Sequence, residues 1–163
     1  MFEGEYLNGK KNGKGKEYSY LNGFIKKYGY IRNLIFEGEY SNGEKNGKGK
    51  EYFSGNLIFH GEYLNGKRNG IGKEYDSSGN LKFEGEYLNG KIWNGKIYGN
   101  EKNDIFAIKN GKGYIKEYDI EDYSKLIFEG EYLNGERKKG KEYDIEGNLI
   151  FEGEYLNGNR IIN

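Results

Sequence analysis

Any chemistry in this chain must start from very few side chains. His60 is the only histidine among 163 residues, and cysteine is absent. An imidazole serves as a general base, a triad member or a metal ligand only beside a second suitable group. His60 lacks the partners those roles require and reads as a tolerated surface substitution. Glu37 with Glu39, and Glu84 with Glu86, superficially suggest the carboxylate dyad of a glycosidase. The same pair returns in almost every copy of a recurring phrase, however, which marks one solvated face, since an active site is rarely built in sevenfold copy. Gly47-Lys48-Gly49 and Gly111-Lys112-Gly113 would cradle a phosphate at the start of a helix, and no helical period follows either. Lys10-Lys11 and Arg137-Lys138-Lys139 read as solvated loop charge. The residue types therefore predict no catalytic residue, no cofactor and no metal.

What positions these residues is a repeat. Phe-Glu-Gly-Glu-Tyr, intact or nearly so, begins at Phe2, Phe36, Phe59, Phe83, Phe128 and Phe151, most often 23 or 24 residues apart. That is the length of a stacked supersecondary unit. The interval of 45 between Phe83 and Phe128 holds a worn copy at Phe106-Ala107-Ile108, and the interval of 34 between Phe2 and Phe36 holds an insertion over 19–33. A single array over 1–163 is expected, with units starting near 2, 36, 59, 83, 106, 128 and 151.

Composition narrows the fold and the partners. Hydrophobic residues make up 34% of the chain, too few for a two-layer core. Yet 17 Tyr and 9 Phe supply ring area that a disordered chain lacks, so a thin, elongated fold is favoured. The 26 basic and 26 acidic side chains cancel, which argues against a strong field for nucleic acid or an anionic membrane. With no apolar leader and no apolar run of membrane-spanning length, the cytoplasm is the expected location.

Within a unit the local signals are those of a β-hairpin. Period-2 alternation puts Leu57, Phe59, Gly61 and Tyr63 on one face and Ile58, His60 and Glu62 on the other. A second short strand, Ile71 to Tyr75, folds back after a turn rich in Asn-Gly, a pair that occurs twelve times and tolerates positive φ. Closing the hairpin over Gly66–Asn69 would set Tyr63 opposite Gly72 and Glu62 opposite Lys73, ring over glycine and acid beside base. The loop from Asp76 to Asn80 then reverses the chain into the next hairpin. The expected fold class is all-β, an elongated antiparallel meander of stacked hairpins in a single-sheet solenoid. Its core aromatics are Phe36, Tyr40, Phe59, Tyr63, Phe83, Tyr87, Phe128, Tyr132, Phe151 and Tyr155.

The pattern Phe83-Glu84-Gly85-Glu86-Tyr87-Leu88-Asn89-Gly90, with Gly61, Gly66, Gly70, Gly72 and Gly79 in the preceding copy, resembles the membrane occupation and recognition nexus (MORN) repeat. The segment Tyr75 to Phe83, with Gly79-Asn80-Leu81 inside it, resembles the variant found in bacterial antitoxin-like proteins of the YwqK type. The resemblance implies one hairpin per repeat and a module used for scaffolding, dimerisation or docking, with phospholipid binding proposed for some members.

Individual function is expected where the repeat is broken. Tyr20, Phe24, Tyr28 and Tyr30 in the insertion read first as a longer hairpin or a decayed repeat that folds its aromatics onto the sheet; mixed with lysines, they otherwise suit a partner patch or contact with a lipid surface or a nucleic-acid backbone. Trp93, the single Trp, stands in a loop that appears one residue longer than Lys67 to Gly70, as a binding anchor or a gap filler. Open sheet edges offer unpaired amides to another chain, so a protein partner or a homodimer through an edge or a face is expected. The overall expectation is a non-enzymatic scaffold for protein interaction or self-association. The alternative is a peripheral adaptor contacting anionic phospholipid through basic loops. No nucleic-acid or metal partner is expected.

Overall fold

The computed structural model describes residues 1–20, 32–100, 104–119, 122 and 124–162. Fourteen strands follow one another: β1 (Phe2–Leu7), β2 (Lys10–Tyr20), β3 (Arg32–Ser41), β4 (Glu44–Phe53), β5 (Asn56–Leu64), β6 (Lys67–Tyr75), β7 (Leu81–Leu88), β8 (Lys91–Tyr98), β9 (Ile105–Ile108), β10 (Gly113–Tyr118), β11 (Leu126–Leu133), β12 (Glu136–Tyr143), β13 (Leu149–Leu156) and β14 (Asn159–Arg160). Strands β1 to β9 form one sheet in chain order and β10 to β14 a second. Every ladder is antiparallel. The all-β meander of hairpins is thus what the chain forms, in two sheets rather than one.

The turn chemistry differs from the sequence expectation in an informative way. The β5–β6 hairpin closes at Asn65-Gly66, with Leu64 facing Lys67 and Tyr63 facing Arg68. Asn65 has φ 49 and Gly66 φ 77, the left-handed pair that a two-residue hairpin turn requires. The second Asn-Gly of the unit is not the turn. Asn69, Gly70 and Ile71 bulge opposite Glu62, so that Gly61, not Tyr63, faces Gly72, and His60, not Glu62, faces Lys73. Gly70 has φ 94, and the Glu62 carboxylate accepts the Ile71 amide at 3.1 Å, satisfying a donor that the bulge takes out of the ladder.

The two facing glycines are what the aromatic core rests on. A methyl on Gly61 would come within 2.7 Å of the Gly72 Cα, and one on Gly72 within 2.7 Å of the Phe59 ring. Without those methyls the ring lies flat across both strands. Tyr63 then stands edge-on between Phe36 at 5.3 Å and Phe59 at 5.5 Å, so each Tyr joins its own unit to the preceding one. Phe36, Phe59, Phe83 and Phe128 are buried, as are Tyr40, Tyr63, Tyr87 and Tyr155. Tyr132 and Phe151 are half-buried. Tyr6, which touches the Phe of its own unit alone, is 59% exposed against 4% for Tyr63.

The worn unit solves the same packing problem with different residues. Ile108 pairs with Gly95, and Ile115 with Gly130, so both isoleucines stand where other units place a glycine. Each is 2% exposed. Their branched side chains fill the volume a Phe ring would occupy, and Phe106 packs beside the core, half-buried. β9 and β10 meet through a Lys109–Lys112 bridge outside the two strands, and the sheet divides there.

Candidate functional site: two charge ladders on opposite faces

On the aromatic face, the second residue after the Asn-Gly turn is Lys11, Lys45, Arg68, Arg137 or Arg160. The chain reverses beside Phe, so this cation settles on the ring: Lys45 lies 4.0 Å from the centroid of Phe36, Arg68 4.0 Å from that of Phe59 and Arg137 4.3 Å from that of Phe128. The same cations clamp carboxylates of two successive units. Arg68 bonds Glu51 at 2.6 Å and also Glu74, while Arg137 grips Glu117 through two nitrogens at 2.8 Å and Glu142 at 2.6 Å. Lys10-Lys11 and Arg137-Lys138-Lys139 are therefore not uniformly solvated loop charge. Lys11 and Arg137 are partly buried structural cations, and the signal that could have found them is the fixed place after the turn.

These clamps set the local protonation states. Burial alone would raise the Glu51 carboxyl, but Arg68, Tyr63 and Lys45 outweigh it and hold it below the usual carboxylate range. The Tyr63 phenol is pushed well above its ordinary value by burial and then by Glu51. Its hydroxyl, like those of Tyr40, Tyr87 and Tyr155, lies beside a carboxylate but makes no hydrogen bond of good geometry among the described residues. Tyr132 does complete such a bond, donating to Glu117. Unit 4 abandons the clamp: Ile92 faces Tyr87 where Arg68 faces Tyr63, and Ile97 faces Phe83 where Glu74 faces Phe59. Both members of the ion pair are replaced together by an apolar pair, and Ile97 is buried.

The opposite face carries a second ladder. Cross-strand pairing runs Glu3, Lys16, Glu37, Lys50, His60, Lys73, Glu84, Lys96. Glu37 receives the Tyr52 hydroxyl at 2.7 Å, Lys50 at 3.3 Å and Lys16 at 3.6 Å, and the Tyr52 bond, working with the lysines against partial desolvation, keeps its pKa depressed. Glu84 is held alike by Tyr98 at 2.7 Å and Lys73 at 3.2 Å. A groove of about 610 Å³ crosses this face, lined by Glu3, Lys14, Lys16, Glu37, Glu39, Lys48, Lys50 and His60 over backbone glycines. Its acids and bases neutralise one another across strands instead of converging on one point. Such a surface suits a polar chain laid across it better than bond-breaking. Among the described residues no cluster of His, Asp and Glu is placed to hold a metal ion, and no helix is long and apolar enough to cross a membrane.

The residues singled out from sequence fall in different places. Phe24, Tyr28 and Tyr30 lie outside the described residues, and of Tyr20 the structure describes the strand pairing with Arg32. That pairing, with Ser19 opposite Asn33, lengthens the β2–β3 hairpin into the stems of the insertion. Trp93 is a half-buried bulge residue whose ring packs on Gly111 and whose carbonyl accepts the Gly111 amide at 2.8 Å. It fills the space beside the next turn. Its loop is one residue shorter than in unit 3, not longer, because Gly95 is the partner of Gly85 as Gly72 is of Gly61, and the Asn94-Gly95 pair corresponds to Ile71-Gly72.

No curated protein matches the chain. The family model of the MORN repeat matches residues 2–20, 36–57 and 59–81, the same stretch in which turn, bulge, facing glycines and ring recur in register. The first half of the chain is therefore built of MORN repeats.

Proposed function

We propose that this protein is a non-enzymatic scaffold whose charged face docks a protein partner or a second copy of itself. MORN repeats are in general binding and scaffold modules. The observation that carries the reading is the open groove across the first three hairpins, where Lys and Glu side chains of neighbouring strands flank a floor of close-packed glycines. Its polar groups are repeated along the strands, which suits an extended polypeptide more than a small substrate. The aromatic face, in contrast, is occupied by its own cations. The test uses the full chain as bait beside the double variant Lys14→Glu/Lys48→Glu, with light scattering coupled to size exclusion for self-association and quantitative recovery of bound proteins. A saturable partner or a dimer, lost in the double variant, is the expected result. Monomeric behaviour with no saturable partner would overturn the reading.

One feature favours a second reading, contact with anionic phospholipid. Leu7, Leu64 and Leu88 are exposed at hairpin tips next to Lys10, Lys67 and Lys91. Against it, Lys91 is paired to Glu136 at 2.7 Å and the formal net charge is zero, so little electrostatic attraction remains. Co-sedimentation that rises with the anionic fraction of vesicles would establish it.

A further inference from the structure

We propose that unit 3 holds an empty carboxylate seat on the charged face, formed by Lys50, Lys73 and Tyr75 around His60, and that an acidic side chain of a protein partner fills it. This deepens the scaffold reading and rests on it. The seat is defined by its occupied copies in the same chain. In unit 2, Glu37 lies between Lys16 and Lys50 and accepts from Tyr52. Glu84 accepts from Tyr98 and pairs with Lys73, and Glu129 accepts from Tyr143 at 2.8 Å. Each seat is thus one carboxylate, a lysine on a neighbouring strand and a phenol hydroxyl.

Unit 3 retains the donors and lacks the acid. Lys50 and Lys73 face position 60 from the two adjoining strands. Tyr75 follows His60 by 15 residues, as Tyr52 follows Glu37. Lys50 and Lys73 lean to the acids on their far sides, Glu37 and Glu84, and among the described residues no carboxylate accepts from Tyr75. The row from Glu3 to Lys96 consequently carries four lysines against three glutamates. His60 is exposed and stands at the end of the groove, so a segment lying in the groove reaches the seat without displacing the fold. A carboxylate is the matching ligand because that is what the neighbouring seats hold, and charge-assisted bonds from two ammonium groups and a phenol suit it.

The test titrates a dye-labelled peptide of alternating Glu and Gly into the full chain, beside a matched Gln-Gly peptide and vesicles containing phosphatidylserine. The Glu peptide is expected to bind with affinity that falls as salt rises, and the Gln peptide not to bind. His60→Glu supplies the missing acid and should weaken the Glu peptide about tenfold with an unchanged circular dichroism spectrum. Leu64→Glu adds the same charge away from the seat and should change affinity by less than about twofold. Tyr75→Phe should weaken binding in the parent chain and have no further effect beside His60→Glu. Equal losses in the two Glu variants, additive Tyr75 and His60 effects, or binding of vesicles without the peptide would each overturn the seat. A saturable protein partner that the His60→Glu chain retains undiminished would overturn the seat and leave the scaffold reading standing. Seat-specific peptide binding by a chain with neither partner nor dimer would support the seat and sink the scaffold reading alone.

Discussion

If the aromatic core depends on facing glycines, one methyl group placed at Gly72 should be costly. The added Cβ would lie 2.7 Å from both Cε2 and Cζ of Phe59 and 3.2 Å from Tyr87, so the ring would have to retreat by roughly 1 Å to reach ordinary carbon contact. It has nowhere to go: Tyr63 and Tyr87 stand edge-on at 5.5 and 5.3 Å, and Arg68 covers the ring at 4.0 Å. Overpacking of this kind costs about 1–3 kcal/mol, and replacing Gly by Ala in an extended strand returns about 0.5 kcal/mol through the unfolded chain. Gly72→Ala should therefore lose about 1.5 kcal/mol in urea unfolding followed by far-ultraviolet circular dichroism. The cause is checked by a double-mutant cycle with Phe59→Leu, which removes the clashing edge: the double variant should be at least about 1 kcal/mol more stable than the sum of the singles. Gly66→Ala is the control, since nothing lies within 4 Å of its Cβ and only φ 77 opposes it, for a cost of about 1–2 kcal/mol with no coupling to Phe59. A Gly72→Ala protein within about 0.5 kcal/mol of the parent, or an additive cycle with Phe59→Leu, would refute the argument that rings rest on glycines.

Three further outcomes follow from the same geometry. Arg68→Ile should cost about 2–3 kcal/mol in the same assay by stranding Glu51 and Glu74, and adding Glu74→Ile should recover part of that loss, because the pair then copies Ile92 and Ile97. Stability should fall at both pH extremes. Tyr52 and Tyr155 are each pushed up to about 12, by burial first and then by Glu37 and Glu142 respectively; the fold holds their protons more tightly than the unfolded chain, so their contribution is complete below the ordinary value of 10.0 and disappears as pH rises through about 12. Glu51 and Glu142 are depressed by Arg68 and by Arg137 with Arg160 against a desolvation that raises them, so their contribution is present above the ordinary 4.5 and is lost as acid titrates them below it. Equilibrium unfolding across both limbs checks the two signs. Gly111→Ala combines φ 69 with a Cβ 2.7 Å from Trp93 and from the Gly135 amide; it should cost more than about 2 kcal/mol and shift the Trp93 emission, reporting the junction of the two sheets.

The residues themselves show which features could be read in advance. The period of Phe-Glu-Gly-Glu-Tyr, the alternation through Phe59, Gly61 and Tyr63, and the aromatic core were legible because each is a local spacing that a pleated strand converts directly into a face. The hairpin register was not. Unit 3 contains two Asn-Gly pairs, at 65–66 and 69–70, and both tolerate positive φ, so composition cannot say which one turns the chain. The bulge settles it by bringing Gly61 opposite Gly72, where a ring of the same unit covers both. The charge face had the opposite fate: Glu37 and Glu84 were correctly placed on one face, while the partners that hold them, Tyr52 and Tyr98, arrive from strands some 15 residues away.

By itself, then, the chain of residue types determined that this protein is built from repeated antiparallel hairpins with a stripe of aromatic rings along one face, because side-chain period and turn propensity are properties of neighbours in sequence. Tertiary structure decided what the charges do. Arg68 becomes a ring-stacked clamp between units, Ile108 and Ile115 take glycine positions on the strands where the two sheets meet, and His60 interrupts a row of paired acids and bases, because each of these depends on what the adjoining strand places about 5 Å away.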